Sequence, residues 1–154
     1  MSVFRKKWLS AAAAGSAIVA AALLVAPPAH AQGWNVSQGT TPSINSSGWW
    51  ALTYAAGLEG AMIGLGPCGG SSTFIAEFRN HQFDCVGWRK GTLGINQIVR
   101  NNAHSLASIT CSGATTWYSP NAVGNYNYVR GKQWGTLNSA LANDNASAGR
   151  GNLC

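Results

Sequence analysis

The feature that most constrains the fold is an internal repeat in the second half of the chain. A tryptophan, a Gly-Thr-Leu tripeptide, spaced apolar residues and an Asn-rich pentapeptide follow one another twice in the same order. The copies are offset by 46, 44 and 42 residues at three pairs, Trp88 with Trp134, Gly91 with Gly135, and Asn101 with Asn143. A repeat of this length is one supersecondary unit copied, and a unit that cannot bury its apolar face alone must pack on its copy. The sequence therefore predicts two similar halves packed together.

The first 31 residues have the layout of a secretory signal. Three basic residues precede an uncharged, Ala-rich stretch from Trp8 to Val25, and the small-x-small sequence at residues 29–31 is typical of a cleavage site. A membrane anchor is the alternative, but the high Ala content and the cleavage pattern favour export. We expect cleavage after Ala31 and a secreted, extracellular protein of 123 residues that no longer contacts a membrane. That length suits one domain.

The mature chain carries little charge. Seven basic and four acidic residues remain after cleavage, a net charge of +3. The basic residues are scattered rather than gathered in a run that could follow a phosphate backbone. We therefore expect no nucleic-acid partner.

All the cysteines lie in the exported part of the chain, at Cys68, Cys85, Cys111 and Cys154. An even number of cysteines outside the cytosol predicts two disulfides, and the absence of a C-x-x-C or H-x₃-H spacing disfavours zinc. Of the three pairings that exist, we favour Cys68 with Cys85 and Cys111 with Cys154, because each closes a loop within one copy. Each bond would stabilise the fold by about 3 kcal/mol.

The composition favours strands and turns over helices. Aromatic and β-branched side chains suit a half-buried pleated surface, and the many Gly and Asn residues suit tight turns. The predicted strands of the two copies are residues 73–78, 83–88, 95–100 and 107–111, then 114–118, 126–130, 137–141 and a short piece after Ser147. A further strand is predicted over residues 50–55. This pattern indicates an all-β sandwich or barrel.

Two local motifs make the chain resemble the βγ-crystallin superfamily. Trp117 stands seven positions before Gly124, which is the spacing of the folded first hairpin in that family's Greek-key motif. The pentapeptides at residues 101–105 and 143–147 each match five of the six places of the family's N/D-N/D-x-x-S/T-S segment, and the sixth place departs in both. In the first copy Phe78 aligns with Trp117, but Cys85 stands where the family has Gly.

The resemblance covers about residues 72–150 and implies an all-β sandwich of two Greek-key motifs. With it, the chain divides into a signal peptide at 1–31, an N-terminal extension and Gly-rich linker at 32–70, and a double Greek-key domain at 71–154. It also implies calcium sites, one from Asn101, Asn102 and Ser105 and one from Asn143, Asp144 and Ser147. Asn and Ser also close turns by bonding their own backbone. With a single formal charge between the two sites, any calcium binding would be weak, on the order of 10⁻⁴ to 10⁻³ M.

The titratable residues of the mature chain disfavour an enzyme. Two histidines and four carboxylates remain, and no local signature joins them into a triad or an acid pair. We expect no catalysis and no cofactor other than weakly bound calcium.

Tryptophans are the other candidate functional residues. Trp88 and Trp134 hold equivalent places in the repeat and are predicted to anchor the core. Trp34, Trp49 and Trp50 fall outside the repeat, and two interpretations stay open: they cover the end of the sandwich, or they form an exposed patch for a partner.

The functional hypotheses rest on the size of the mature chain, its expected export, the resemblance to βγ-crystallins and the lack of a recognisable catalytic motif. The leading hypothesis is a proteinase inhibitor or similar defence-type binder, presenting a rigid loop at residues 119–125 or 79–82 to an extracellular protease. The alternatives are a calcium-binding structural or envelope module, and an antimicrobial or polysaccharide-binding protein that uses the exposed tryptophans on a cell-envelope glycan.

Overall fold

The computed structural model describes residues 31–42, 48–65, 73–89 and 91–151. Within them the chain forms strands joined by turns and two short 3-10 helices, at Ala56–Leu58 and Pro120–Ala122. The strands are β1 Gly33–Asn35, β2 Gly39–Thr40, β3 Gly48–Thr53, β4 Met62–Leu65, β5 Phe74–Ile75, β6 Ser105–Ser108, β7 Ala114–Ser119, β8 Val123–Val129, β9 Gln133–Thr136 and β10 Ser147–Arg150. No helix in this part of the chain is long and apolar enough to span a bilayer.

The strands form two five-stranded sheets. The first sheet has the order β1-β8-β7-β10-β5 and the second has the order β2-β9-β6-β3-β4. Neighbouring strands are antiparallel in every pair except β1 with β8. The predicted all-β class is confirmed at this level.

Side chains alternate along the strands between the core and the outer face of each sheet. On β3, Trp50 and Leu52 point into the core, whereas Ala51 belongs to a separate cluster on the other face. The core between the sheets collects side chains from both sheets and from the connections between strands, including Trp50, Leu52, Ile63, Ile75, Phe78, Phe83, Val99, Leu106, Val129 and Leu141. Burial of these side chains holds the sheets together.

The strand pairings relate two sets of four consecutive strands, β3 to β6 and β7 to β10. The pairs Thr53–Met62 and Thr53–Ser105 in β3, β4 and β6 correspond to Trp117–Tyr126 and Trp117–Ser147 in β7, β8 and β10. The third strand of each set lies in the other sheet, because β5 pairs with β10 and β9 pairs with β6. Each set therefore contributes one strand to the sheet that holds three strands of the other set.

Two serines occupy equivalent positions behind two equivalent hairpins. The Ser105 hydroxyl donates to the Ala55 carbonyl at 3.0 Å and accepts from the Leu58 amide at 3.4 Å. The Ser147 hydroxyl donates to the Ser119 carbonyl at 2.8 Å and accepts from the Ala122 amide at 3.3 Å. We call these two arrangements the serine latches.

The hairpins that the latches hold have the same backbone. Gly57, Leu58 and Gly60 have φ of 70°, 64° and 76°. The corresponding Asn121, Ala122 and Gly124 have 59°, 61° and 83°. The counterpart of residues 117–124 is thus residues 53–60, and the alignment of Phe78 and Cys85 with Trp117 and Gly124 is wrong.

The first hairpin is part of the second sheet. Strands β3 and β4 come from the segment that was predicted to be an extension, yet they are paired with β6 in the second sheet. The boundary near residue 70 does not separate them from the rest of the sandwich. Residues 33–35 and 39–40 add edge strands to the two sheets.

Three predicted strands are wrong, and two of them share a reason. In residues 95–100 and 137–141 the apolar residues that pack on the core are spaced by four, as Ile95 with Val99 and Leu137 with Leu141, which is the period of a helical turn. Positive φ at Gly94 and Asn96 also breaks an extended path. Residues 83–88 make only the isolated bridge of Cys85 with Met62.

Candidate functional site

An aromatic groove lies on the outer face of the first sheet. Thr115 and Trp117 alternate on β7, and Tyr126 and Tyr128 alternate on β8. They are cross-strand partners, Thr115 with Tyr128 and Trp117 with Tyr126, so all four share one face. They line a groove of ≈ 350 Å³, which we call the aromatic groove.

The rings of the groove are inclined to one another. The Trp117 and Tyr126 centroids are 6.5 Å apart with planes at 42°, and the Tyr126 and Tyr128 centroids are 6.3 Å apart at 39°. Phe74 of β5 stands edge-on to Trp117 at 6.0 Å and 83°, and it is 40% exposed. The rings of the groove therefore form a tilted, uneven surface rather than a flat one.

Two glycines make room for these rings. A Cβ on Gly33 of β1 would lie 2.2 Å from the Tyr126 ring, so that ring rests directly on the edge strand. A Cβ on Gly149 of β10 would lie 2.8 Å from the Phe74 ring. Side chains at either position would push the rings out of their present places.

The equivalent face of the second sheet is covered by the chain itself. Ala51 and Met62, which correspond to Thr115 and Tyr126, are buried in a cluster with Cys85, Trp88 and Ile109. The cover comes from the connection between β5 and β6, which runs over residues 76–104, whereas the connection between β9 and β10 runs only over residues 137–146. The aromatic face of the first sheet has no such cover among the described residues.

The chemistry of the groove is that of a binding surface. The described residues that line it carry no charge at neutral pH, and its polar atoms include the hydroxyls of one threonine and two tyrosines. A hydroxyl both donates and accepts hydrogen bonds. Aromatic faces with hydroxyls at the rim bind ligands that combine an apolar face with polar edges.

The structure brings the two Asn-rich segments together across an approximate two-fold axis. The Asn101 amide donates to the Asn145 carbonyl at 2.9 Å, and the Asn143 amide donates to the Ala103 carbonyl at 3.2 Å. Asn101 and Asn143 both have left-handed backbone, with φ of 60° and 61°. The predicted equivalence of these segments agrees with this exchange of hydrogen bonds.

The predicted calcium ligands have structural roles in these segments. The side-chain amide Nδ2 of Asn102 donates to the Ile98 carbonyl at 2.9 Å, and Ser105 and Ser147 form the serine latches. Asp144 is exposed on the turn that precedes β10. No group of three or more His, Cys, Asp or Glu side chains in the described ranges is placed to hold a metal ion. Calcium binding stays a prediction.

The tryptophans are not arranged as the sequence suggested. Trp50 is completely buried in the core, so it cannot contact a partner. Trp34 and Trp49 are half-buried against the same core, and Arg150 lies 4.3 Å from the centre of the Trp49 ring. Trp88 and Trp134 are only half-buried, and Trp50 rather than either of them anchors the core.

The predicted cysteine pairing involves residues outside the described ranges. Cys85 and Cys111 are described, and neither is a free thiol. Cys68 and Cys154 lie outside, as do the residues of the signal segment up to position 30 and the Gly-rich stretch at 66–72. The pairing of Cys68 with Cys85 and Cys111 with Cys154 stays a prediction.

Sequence reasoning missed the four residues of the groove as a site. The signal was present as alternation, because Thr115 and Trp117, then Tyr126 and Tyr128, are each two positions apart in strands that were predicted. Trp117 was interpreted only as a motif residue. Comparisons with protein-family models, curated proteins and solved structures found no match.

Proposed function

We propose that the protein is a secreted, non-catalytic binding protein that holds a neutral glycan in the aromatic groove. The observation that carries this proposal is the difference between two equivalent faces. One is buried under the chain's own connection, and the other carries half-buried aromatic rings that line an open groove. Aromatic side chains left at the surface of a small protein mark a candidate interaction site.

The fold that we propose for this binding protein is a pair of βγ-crystallin-like Greek keys. The exchange of β5 and β9 between the sheets and the two serine latches support it. A fold of this kind is compatible with many functions, so the function has to come from the site.

A glycan suits the groove better than a charged ligand. The described lining offers no cation for a phosphate or carboxylate and no anion for a basic peptide. Sugar rings have an apolar face that stacks on aromatic rings and hydroxyls that exchange hydrogen bonds with Thr115 and the tyrosines.

The test is binding of soluble neutral polysaccharides by the mature protein. Affinity electrophoresis through gels containing soluble β-glucan, xylan or glycol chitin should show retardation of the wild type. Trp117→Ala should weaken binding by about 2 kcal/mol, roughly 30-fold, because it removes the central ring. Tyr126→Ala should act in the same direction.

Tyr118→Ala is the matched control. Tyr118 neighbours Trp117 on β7 and is 52% exposed, but it does not line the groove. Each variant is checked by circular dichroism before binding is compared. Unretarded migration of the wild type in every gel, or equal loss in Trp117→Ala and Tyr118→Ala, would contradict the proposal.

Proteinase inhibition is a second candidate, and one observation favours it. The two loops predicted to contact a protease lie beside each other, since the Asn121 amide donates to the Ala76 carbonyl at 2.8 Å, close to residues 79–82. Two successive residues of the first loop, Asn121 and Ala122, are held at positive φ, and Val123 is 58% exposed. Backbone strain of this kind is found in rigid functional loops.

Assays with an extracellular metalloprotease, a serine protease and a cysteine protease test this candidate. A replacement of Val123 by Asp should abolish inhibition without lowering the melting temperature, because the side chain is exposed. Full activity of all three proteases at excess protein would remove the candidate.

A further inference from the structure

We infer that the aromatic groove binds a short segment of a single glycan chain and does not bind the flat face of a crystalline polysaccharide. This inference rests on the proposed function and names the form of glycan that the site takes. It follows from the inclination of the rings, the size of the groove and the chemistry of its rim.

The inclination of the rings excludes a planar surface. A crystalline polysaccharide presents sugar faces in one plane, so a protein that binds it needs coplanar rings. Here Trp117 and Tyr126 are inclined by 42°, and Tyr126 and Tyr128 by 39°. A flat surface that stacks on one of these rings cannot stack on the next, whereas a single chain can turn between successive units.

The spacing and volume suit a few sugar units. Neighbouring ring centroids are 6.3 and 6.5 Å apart, so the three rings span only a few sugar units. The groove volume of ≈ 350 Å³ is near the lower end of the range for pockets that enclose small ligands, roughly 300–1,000 Å³. Phe74 stands edge-on beside Trp117 and limits the extent of the ring surface on that side.

The rim favours a glycan over a proline-rich peptide, which also docks on grooves of aromatic rings. A proline-rich segment offers carbonyl acceptors and few donors, so it needs donors from the protein. Thr115, Tyr126 and Tyr128 carry hydroxyls that donate and accept; sugar hydroxyls use both capacities, whereas a proline-rich segment leaves the acceptor capacity unused.

The experiment compares soluble oligosaccharides with crystalline and amorphous forms of the same polymer. Cello- and chito-oligosaccharides, from the disaccharide to the hexasaccharide, are titrated into the mature protein by calorimetry. Crystalline cellulose and chitin and their acid-swollen forms are used in sedimentation assays. Proline-rich decapeptides are titrated in parallel.

We expect affinity to rise up to the trisaccharide and then to change by less than about threefold with each added unit, because further units leave the groove. Amorphous polymer should sediment the protein, and crystalline polymer should not. The variant Trp117→Phe, which keeps a smaller ring, should retain binding with an affinity between those of the wild type and Trp117→Ala.

The outcomes separate this inference from the proposed function. Sedimentation with crystalline polymer and no binding of oligosaccharides would overturn the inference while supporting glycan binding. Absence of binding to every glycan form would overturn both. Binding of the proline-rich peptides that is lost in Trp117→Ala would replace the glycan by a peptide ligand.

Discussion

Removal of the latch hydroxyls tests the equivalence of the two hairpins. In Ser105→Ala and Ser147→Ala each hairpin loses one hydrogen bond to a carbonyl and one from a backbone amide. Both serines are completely buried, so neither lost partner is replaced by water at the serine position. A buried group left unsatisfied costs about 1–3 kcal/mol.

The two costs should differ in a defined direction. Leu58, whose amide bonds to Ser105, is 1% exposed, whereas Ala122, whose amide bonds to Ser147, is exposed and its amide can find water. We therefore expect Ser105→Ala to lower the unfolding free energy by about 2–3 kcal/mol and Ser147→Ala by about 1–2 kcal/mol. The latches share no partner, so the double variant should lose nearly the sum.

Urea unfolding of the mature protein measures these values. With an m-value of roughly 2 kcal/mol/M, a loss of 2 kcal/mol lowers the midpoint by about 1 M. The control is Ser139→Ala, in which an exposed serine is replaced and a change within about 0.5 kcal/mol is expected. Losses below about 0.5 kcal/mol in both latch variants would refute the role that the structure gives these hydroxyls.

Three further perturbations have defined outcomes. Trp50→Ala should lower the unfolding free energy by about 3–5 kcal/mol, because Trp50 is 0% exposed at the centre of the core; a loss as small as that of Trp49→Ala, measured by the same urea titration, would contradict its role as the anchor. Gly135→Ala places a Cβ 1.7 Å from the Val36 carbonyl oxygen, so it should detach the segment of β1 and β2 or unfold the protein; unchanged resistance to limited proteolysis at residues 32–42 would argue against this contact. The calcium prediction is checked by thermal unfolding. A site with a dissociation constant of about 1 mM would raise the unfolding free energy by about 1 kcal/mol at 5 mM calcium, and this gain should vanish in Asp144→Asn. A melting temperature that calcium does not change excludes the site.

The two Asn-rich segments and the strands that follow them show what local sequence can predict. In residues 101–108 and 143–150 the same short pattern of Asn and Ser produces the same backbone, with positive φ at Asn101 and Asn143 and a strand that starts at a buried serine. The turn depends on residues within a few positions, so the pattern alone indicates it. The strands over residues 114–119 and 123–129 were found for the same reason, because their alternation is local.

The first hairpin shows where such reasoning stops. Residues 53–60 have Thr53 where the second hairpin has Trp117, so no aromatic spacing marks them. The two hairpins are offset from each other by 64 residues, whereas the two Asn-rich segments are offset by 42. The offsets differ because the chain between β5 and β6 is much longer than that between β9 and β10. The local motifs therefore paired Phe78 with Trp117 and Trp88 with Trp134, although Trp117 and Trp134 lie in strands and Phe78 and Trp88 do not.

The sequence by itself determined the class of structure and the small pieces from which it is built, since alternation, turn residues and serine positions act over a few neighbouring residues. Only the tertiary structure decided which hairpin belongs to which closing strand, how the third strands are exchanged, and which outer face is left open. Those choices depend on contacts between residues far apart in the chain, among them Met62 with Cys85 and Ala148 with Ile75. The same aromatic and apolar residues would be core or surface according to whether residues 76–104 fold over them. Among the described residues, that connection covers the second sheet, and no equivalent segment covers Trp117 and Tyr126 in the aromatic groove of the first sheet.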